Sequence, residues 1–412
     1  MYFLKPTAKS LLDGLLFKAV LAFALVLPFK VHAKETVKLA FAGDIMMGTN
    51  YPEARYLAAH GGKYLFADVA PIIQSADAAF ANLEGVLMDT GGDVKQCQNP
   101  DFCYAFRTPV RYVGNLVNAG FDAVSIANNH ANDFGLTGRL STMATLKKVG
   151  IAYAGQEGYC ETAIFEKDGV KYGFAAFGHS VGTLHIQDIA RARRIIQSLQ
   201  DKVDVVVVSF HGGAEGMGTD HVTGQHEFFL GEDRGNVKAF ARACVEAGAD
   251  IVYGHGPHLP RAIELYRGHL IAYSLGNFCT PQRIRLAGQL AFAPVLEATI
   301  NLTDGTFVDG KIHSFIQFKG VGPRRELTHA VAKRIGMLTK ADFPGTNLTI
   351  HPDGRIERKN KTADPAELRH HRQRPQPLQS DVKLLPKAEV GVWDQIIAFF
   401  KGLFGIRDTQ LA

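Results

Sequence analysis

The sequence is short of charge. Only 21% of its 412 residues are Asp, Glu, Lys or Arg, and the net charge is +5. That small excess sits at the two ends: residues 1–33 hold four lysines and one aspartate, and seven basic against three acidic residues lie between Arg355 and Arg374. The remaining body is slightly acidic, without the concentrated basic face that nucleic acid needs, so no nucleic-acid partner is expected. Cysteine is also scarce. There are five, none with zinc-finger spacing, and the lack of a thiolate cluster disfavours structural zinc. No internal repeat is present. With 46% hydrophobic residues the composition is that of an ordinary globular chain, which excludes a disordered, fibrous or multi-span membrane protein.

The N-terminus reads as a targeting segment. Lys5, Lys9 and Lys18 precede the apolar run Ala19 to Phe29, which matches a secretory signal in length and is short for a membrane span. Val31-His32-Ala33 supplies small residues at −3 and −1 of a cleavage site. Residues 1–33 are therefore a signal peptide or an N-terminal membrane anchor, and either places the body outside the cytosol. Export favours oxidised cysteines. Cys97 and Cys103 flank a short polar loop and are expected to close it as a disulfide, the alternative being two free thiols.

From Val37 onward, compact apolar runs alternate with amphipathic segments. Val37–Ala42, Ala78–Ala81, Ala123–Ala127, Val203–Phe210 and Ile251–Tyr253 read as buried strands. Val110–Ala119, Leu136–Val149, Ile189–Leu199 and Val237–Ala247 read as helices. Two hairpins are expected to turn on Asp168-Gly169 and Arg267-Gly268. This is an α/β domain with antiparallel additions. It is taken as residues 34–354, followed by a polar, basic linker over 355–390 and an amphipathic helix over 391–412. In that last segment Trp393, Ile396, Ile397, Phe400, Leu403 and Phe404 share one helical face. The helix either docks back on the body or lies in a membrane surface.

Chemistry is concentrated just after the strands. The five runs lead into Gly43-Asp44, Asn82-Leu83-Glu84, Asn128-Asn129-His130 with Asp133, His211-Gly212-Gly213-Ala214-Glu215, and His255-Gly256-Pro257-His258. Carboxyl ends of parallel strands converge on one crevice, where α/β folds bind ligands. Carboxylates, an amide oxygen and several imidazoles form a donor set for Mn, Zn or Fe. One or two divalent ions are expected there.

These motifs, together with Gly248-Ala249-Asp250-Ile251-Val252 and Tyr273-Ser274-Leu275-Gly276-Asn277-Phe278, resemble the CapA-type proteins linked to poly-gamma-glutamate capsule synthesis; the likeness runs from about Val37 to Gly320. The resemblance implies a calcineurin-like metallophosphoesterase fold, with two β-sheets sandwiched between helical layers, and a role in the bacterial periplasm or envelope. It also implies metal ligands at Asp44, Glu84, Asn129, His211, His255 and His258, with His130 as proton donor to a leaving group. Asn82, Asn128, Asp133, Glu215 and Asn277 would lie around that set or at the substrate rim. Three departures stand out. Met46 occupies a position where the superfamily usually has a ligand histidine, Gly256 stands where many CapA-type sequences have histidine, and either Asn82 or Glu84 faces the site.

Three functions follow from this reading. The chain is a metal-dependent hydrolase acting on an anionic polymer or phosphoester within a capsule synthesis membrane complex, a non-catalytic polymer-handling component whose metal binds carboxylates, or a stand-alone phosphoesterase unrelated to capsule. Asp220, His221, Glu232 and Arg234 are either substrate rim or solvated loop charges.

Overall fold

Alternation of side chains along the first strand sets the layering. In Thr36–Ile45, Leu39 and Phe41 point to one face of the sheet and Ala40 and Ala42 to the other, as the two-residue period of a strand requires, and all four are fully buried. A strand buried on both faces needs a layer on each side. The computed structural model, which describes residues 34–97 and 103–360, supplies both.

Nine strands form the first sheet. Its order is Leu348–Ile350, Arg355–Arg358, Phe307–His313, Val295–Asn301, Thr36–Ile45, Ala78–Leu83, Ala123–Ser125 and Ala152–Ala154, with Asn277–Cys279 also paired to Thr36–Ile45. The half from Thr36–Ile45 to Ala152–Ala154 is parallel and the other half antiparallel. The second sheet has six strands, ordered Ile263–Tyr266, His269–Ala272, Ile251–His255, Val205–His211, Val170–Gly178 and Thr162–Lys167. Its central strands are parallel and its edges are the two expected hairpins.

The sheets face each other across an aromatic layer. The Phe41 ring lies 5.0 Å from Tyr253 and 5.4 Å from Phe80, and Phe80 lies 5.6 Å from Phe174. Outside the first sheet, Ala40, Ala79 and Val124 pack on Ile72, Leu116 and Leu146 of helices Ala70–Gln74, Val113–Ala119 and Gly135–Val149. Outside the second, Val206, Val208 and Phe210 pack on Ile196 and Phe240 of helices Ile189–Gln200 and Val237–Glu246. The result is two sheets between helical layers, as the family resemblance implies. Each buried phenylalanine contributes roughly 1.5–3 kcal/mol by leaving water.

One boundary differs from expectation. Arg355–Arg358 is a strand, paired in register with Asp309–Lys311 and with Leu348–Ile350, so the folded body continues past residue 354. Ile356 alone is fully buried in that strand, while Arg355 and Glu357 face outward. One apolar residue in four leaves little sequence signal for an edge hairpin, and the basic composition dominates. The targeting segment, the linker beyond residue 360 and the C-terminal helix lie outside the described residues. Cys97 and Cys103 are bonded to each other. Among the described residues, no helix is long and apolar enough to cross a membrane.

Candidate metal centre

Register brings the motifs together. Asp44 pairs with Asn82 on one side and with Asn277, the first residue of its strand, on the other, and His211 pairs with His255 and with Gly178; Asp44, Asn82, His211, His255 and Gly178 all lie at carboxyl ends of parallel strands. Close backbone approach makes this possible. A Cβ on Gly43 would come within 2.0 Å of the Gly276 carbonyl, and one on Gly256 within 2.5 Å of the Gly212 carbonyl. Gly256 is therefore required by the crossing of two strand ends, and a histidine side chain there would collide with the backbone.

Asp44, Glu84 and His258 converge. Each offers a ligand atom, and these atoms lie within 4.8 Å of one another. Asp44 Oδ1 accepts from Asn82 Nδ2 at 2.8 Å and lies 3.3 Å from His255 Nδ1, while Oδ2 faces His258 Nδ1 at 3.1 Å. Glu84 Oε1 lies 3.6 Å from His211 Nε2 and 3.7 Å from His258 Nε2. Between Asn82 and Glu84, the carboxylate faces the site and the amide braces Asp44.

Partnering across the cluster is incomplete. Both Glu84 oxygens, both ring nitrogens of His211 and of His255, and Asn129 Oδ1 are buried and make no hydrogen bond among the described residues. Leaving such groups unpaired away from water costs about 1–3 kcal/mol each, more for a charge. Burial first, then the charge of Asp44, raises the Glu84 pKa to about 8. For His258, burial would lower the pKa, but Glu84, Asp44 and Glu215 outweigh it and push it up to about 10. Burial likewise opposes ionisation of Asp44, yet His255 and His258 hold its carboxyl well below the usual range. The carboxylates thus draw a proton onto His258 where a cation would satisfy them better. Oxygen and imidazole donors in this state fit a divalent ion.

The remaining residues take distinct places. His130 is buried against the Phe106 ring, centroids 4.2 Å apart, with Nδ1 2.8 Å from Asp133 Oδ2. Burial lowers its pKa, with Asp133 acting in the opposite sense. Asn128 ties two motifs together, donating to Asn82 Oδ1 and the Leu83 carbonyl and accepting from the His130 amide. Asn277 donates to the Leu290 carbonyl rather than to a histidine, so it does not orient a ligand ring. Met46 is buried, and its sulfur accepts the Gly48 N–H. Of the charged loop, Glu215 reaches His258, with Oε2 3.8 Å from its Nε2, and Arg234 pairs with both Glu215 and Glu232. Asp220 and His221 turn away, to Arg334 and Asp342 of helix Ala330–Asp342.

Two residues escape sequence reasoning. His179 follows strand Val170–Gly178; its ring stacks on His211 at 5.6 Å, and its Nδ1–H donates to the His211 carbonyl at 3.2 Å. Nε2 is buried without a hydrogen bond, 3.8 Å from Glu232 Oε2, and burial followed by the Arg234 charge lowers its pKa to about 3. Reading Val170–Gly178 as a hairpin arm hides its carboxyl end, where the strand-end rule would have found this histidine. Lys95 is the second. Its ammonium lies 2.6 Å from Asp133 Oδ1 and 3.4 Å from His130 Nδ1, two residues from the Cys97–Cys103 bridge. Nothing in its local sequence marks it.

Comparison with known proteins adds a family. The one described as "Bacterial capsule synthesis protein PGA_cap" matches residues 38–282. Capsule biosynthesis protein CapA of Bacillus anthracis is 28% identical over 276 residues, covering 62% of this chain and 63% of that protein. PGA biosynthesis protein CapA of Bacillus subtilis is 29% identical over 269 residues, covering 61% and 66%. The chain thus spans just under two thirds of the length of these relatives. A solved structure described as a novel phosphatase of Mycoplasma pneumoniae aligns over 69% of this chain and 95% of its own, at 14% identity and a TM-score of 0.44, too low to carry any conclusion about chemistry.

Proposed function

Because the chain belongs to the family of bacterial capsule synthesis proteins PGA_cap, we propose that it is an exported, divalent-metal-dependent hydrolase of capsule or poly-gamma-glutamate biosynthesis. The observation that carries this reading is Glu84, buried with neither oxygen hydrogen-bonded, beside Asp44, His211 and His258. Asp44, Glu84, Asn129, His211, His255 and His258 would hold one or two ions of Mn, Zn or Fe. Such an ion supplies Lewis-acid polarisation of an oxygen and a water of lowered pKa.

The chain's own residues handle the second proton. With His130 Nδ1–H donated to Asp133, Nε2 is the atom that, once the ring has taken up a second proton, would pass that proton to a departing oxygen and leave the neutral imidazole behind. Lys95 pairs with the other oxygen of Asp133. The substrate would be an anionic polymer or a phosphoester. The test is turnover of a generic phosphomonoester and a phosphodiester with and without added Mn or Zn. Metal-stimulated release, lost about 10²–10⁴-fold on His130→Ala, is expected; absence of any metal-dependent turnover sinks the hydrolase reading.

Met46 favours a second reading. With its sulfur turned to Gly48, that position offers no donor to the centre, which suits a polymer-handling protein whose ion binds carboxylates without turnover. Metal uptake with competition by oligoglutamate, but no hydrolysis, would select it. Residues 391–412 would add a membrane contact within a capsule synthesis complex. Co-sedimentation with anionic vesicles, lost on truncation after residue 390, is expected, and the contact is refuted if the full chain stays in the supernatant.

A further inference from the structure

His258 holds a left-handed backbone, φ 61°, which a residue with a side chain adopts only where its surroundings impose it. Its Nδ1 meets Asp44, and its Nε2 faces two carboxylates at almost equal range: Glu84 Oε1 at 3.7 Å and Glu215 Oε2 at 3.8 Å. These separations are too long for hydrogen bonds. They match donors that share an ion, since ligands bound at about 2.1 Å in tetrahedral geometry stand about 3 to 4 Å apart.

Glu215 is built to aim one oxygen. Its Oε1 accepts from Arg234 at 2.8 Å, and the Arg234 side chain is only 4% exposed. The neighbouring backbone is pinned on both sides: Gly213 N–H donates to the Arg234 carbonyl, Ala214 N–H to Glu227 Oε2, and Gly216 N–H to the Pro257 carbonyl. Glu227 is in turn gripped by the fully buried Arg261. With Oε1 taken up by Arg234, Oε2 is the atom turned toward His258.

We propose that Glu215 is a direct ligand of the metal centre on the His258 side of the site, and that Arg234 is the residue that positions it. This rests on the reading of Asp44, Glu84 and His258 as a metal site. A hard carboxylate oxygen close to an imidazole nitrogen suits Mn or Zn better than a thioether does.

Metal binding to the full chain, stripped by chelator and titrated with Mn(II) by calorimetry, tests it directly. Glu215→Gln should weaken Mn(II) binding roughly ten- to a hundredfold, and the visible spectrum of the Co(II)-loaded protein should change because the donor set changes. Arg234→Lys should weaken binding less and leave the Co(II) spectrum closer to the parent. Far-UV dichroism of the metal-free variants separates loss of a ligand from loss of the fold. If Glu215→Gln binds Mn(II) as the parent does with an unchanged Co(II) spectrum, while Glu84→Gln abolishes binding, Glu215 is no ligand and the metal site itself stands. If Glu84→Gln also leaves binding intact, the reading of the site fails, and the role of Glu215 with it.

Discussion

Phe41 and Asp44 lie three residues apart on one strand and are equally buried. Phe41 packs between two aromatic rings of the opposed sheets, and burial stabilises it. Asp44, at the mouth of the same strand, is braced by Asn82, His255 and His258, and beside it neither oxygen of Glu84 makes a hydrogen bond. The second sheet repeats the contrast. The Tyr253 hydroxyl reaches the Ala81 carbonyl, whereas two residues on, neither nitrogen of His255 makes a hydrogen bond and Nδ1 only faces Asp44 at 3.3 Å. Equal burial therefore has opposite energetic sense in the two regions. The aromatic layer holds the strand ends in place, and the strand ends present groups that remain unsatisfied until positive charge arrives.

The contrast should break most completely at the crevice. His211→Ala combined with His255→Ala is expected to remove essentially all bound metal, measured by elemental analysis, while the unfolding midpoint of the metal-free protein stays level or rises. Unchanged metal content in that double variant would show the ligands to be wrongly chosen. In the core, Phe41→Ala should cost about 3–5 kcal/mol in urea unfolding, with the metal stoichiometry of the folded fraction unchanged. A cost below about 1 kcal/mol would mean that the layer between the sheets does not support the crevice.

The smallest effect is a pH slope of the metal-free protein. Glu84 and His258 both have folded pKa values above their ordinary ones, about 8 and about 10. The native state then binds more protons than the unfolded chain, so the stability these groups contribute is present at low pH and is lost as pH rises. Between about pH 6.5 and pH 8 the loss should reach roughly 1.4 kcal/mol per pH unit for each group, and Glu84→Gln should remove the Glu84 share and reduce that of His258, whose rise depends first on the Glu84 charge. His179 acts oppositely and at lower pH: its depressed value destabilises the fold as pH falls below about 6.5. Thermal midpoints of chelator-treated protein across this range check the sign; a midpoint that climbs from pH 6.5 to pH 8 contradicts it.

Much of this was legible beforehand. Apolar runs such as Val205–Phe210 are compact enough to be read as strands, and an Asp, Glu, Asn or His after each marks the carboxyl end where a crevice forms. The edge strand Arg355–Arg358 escaped because only Ile356 is buried there. His179 escaped because an antiparallel hairpin arm and a parallel central strand have the same local pattern until the partner is known.

By itself the sequence determined the periodicities, the strand and helix segments, and the chemical types of the donors, since each of these depends on residues close together along the chain. Only the tertiary structure decided which donors meet. Glu84 faces the site and Asn82 braces Asp44 because the register of two parallel strands sets which side chain points inward. Glu215 turns toward His258 because Arg234, 19 residues away, takes its other oxygen. Gly256 is demanded by the Gly212 backbone, which lies beside it in space and 44 residues away in the chain. Such choices depend on distances between segments, and distance in space is set by packing of the whole sandwich, which no local stretch of residues encodes.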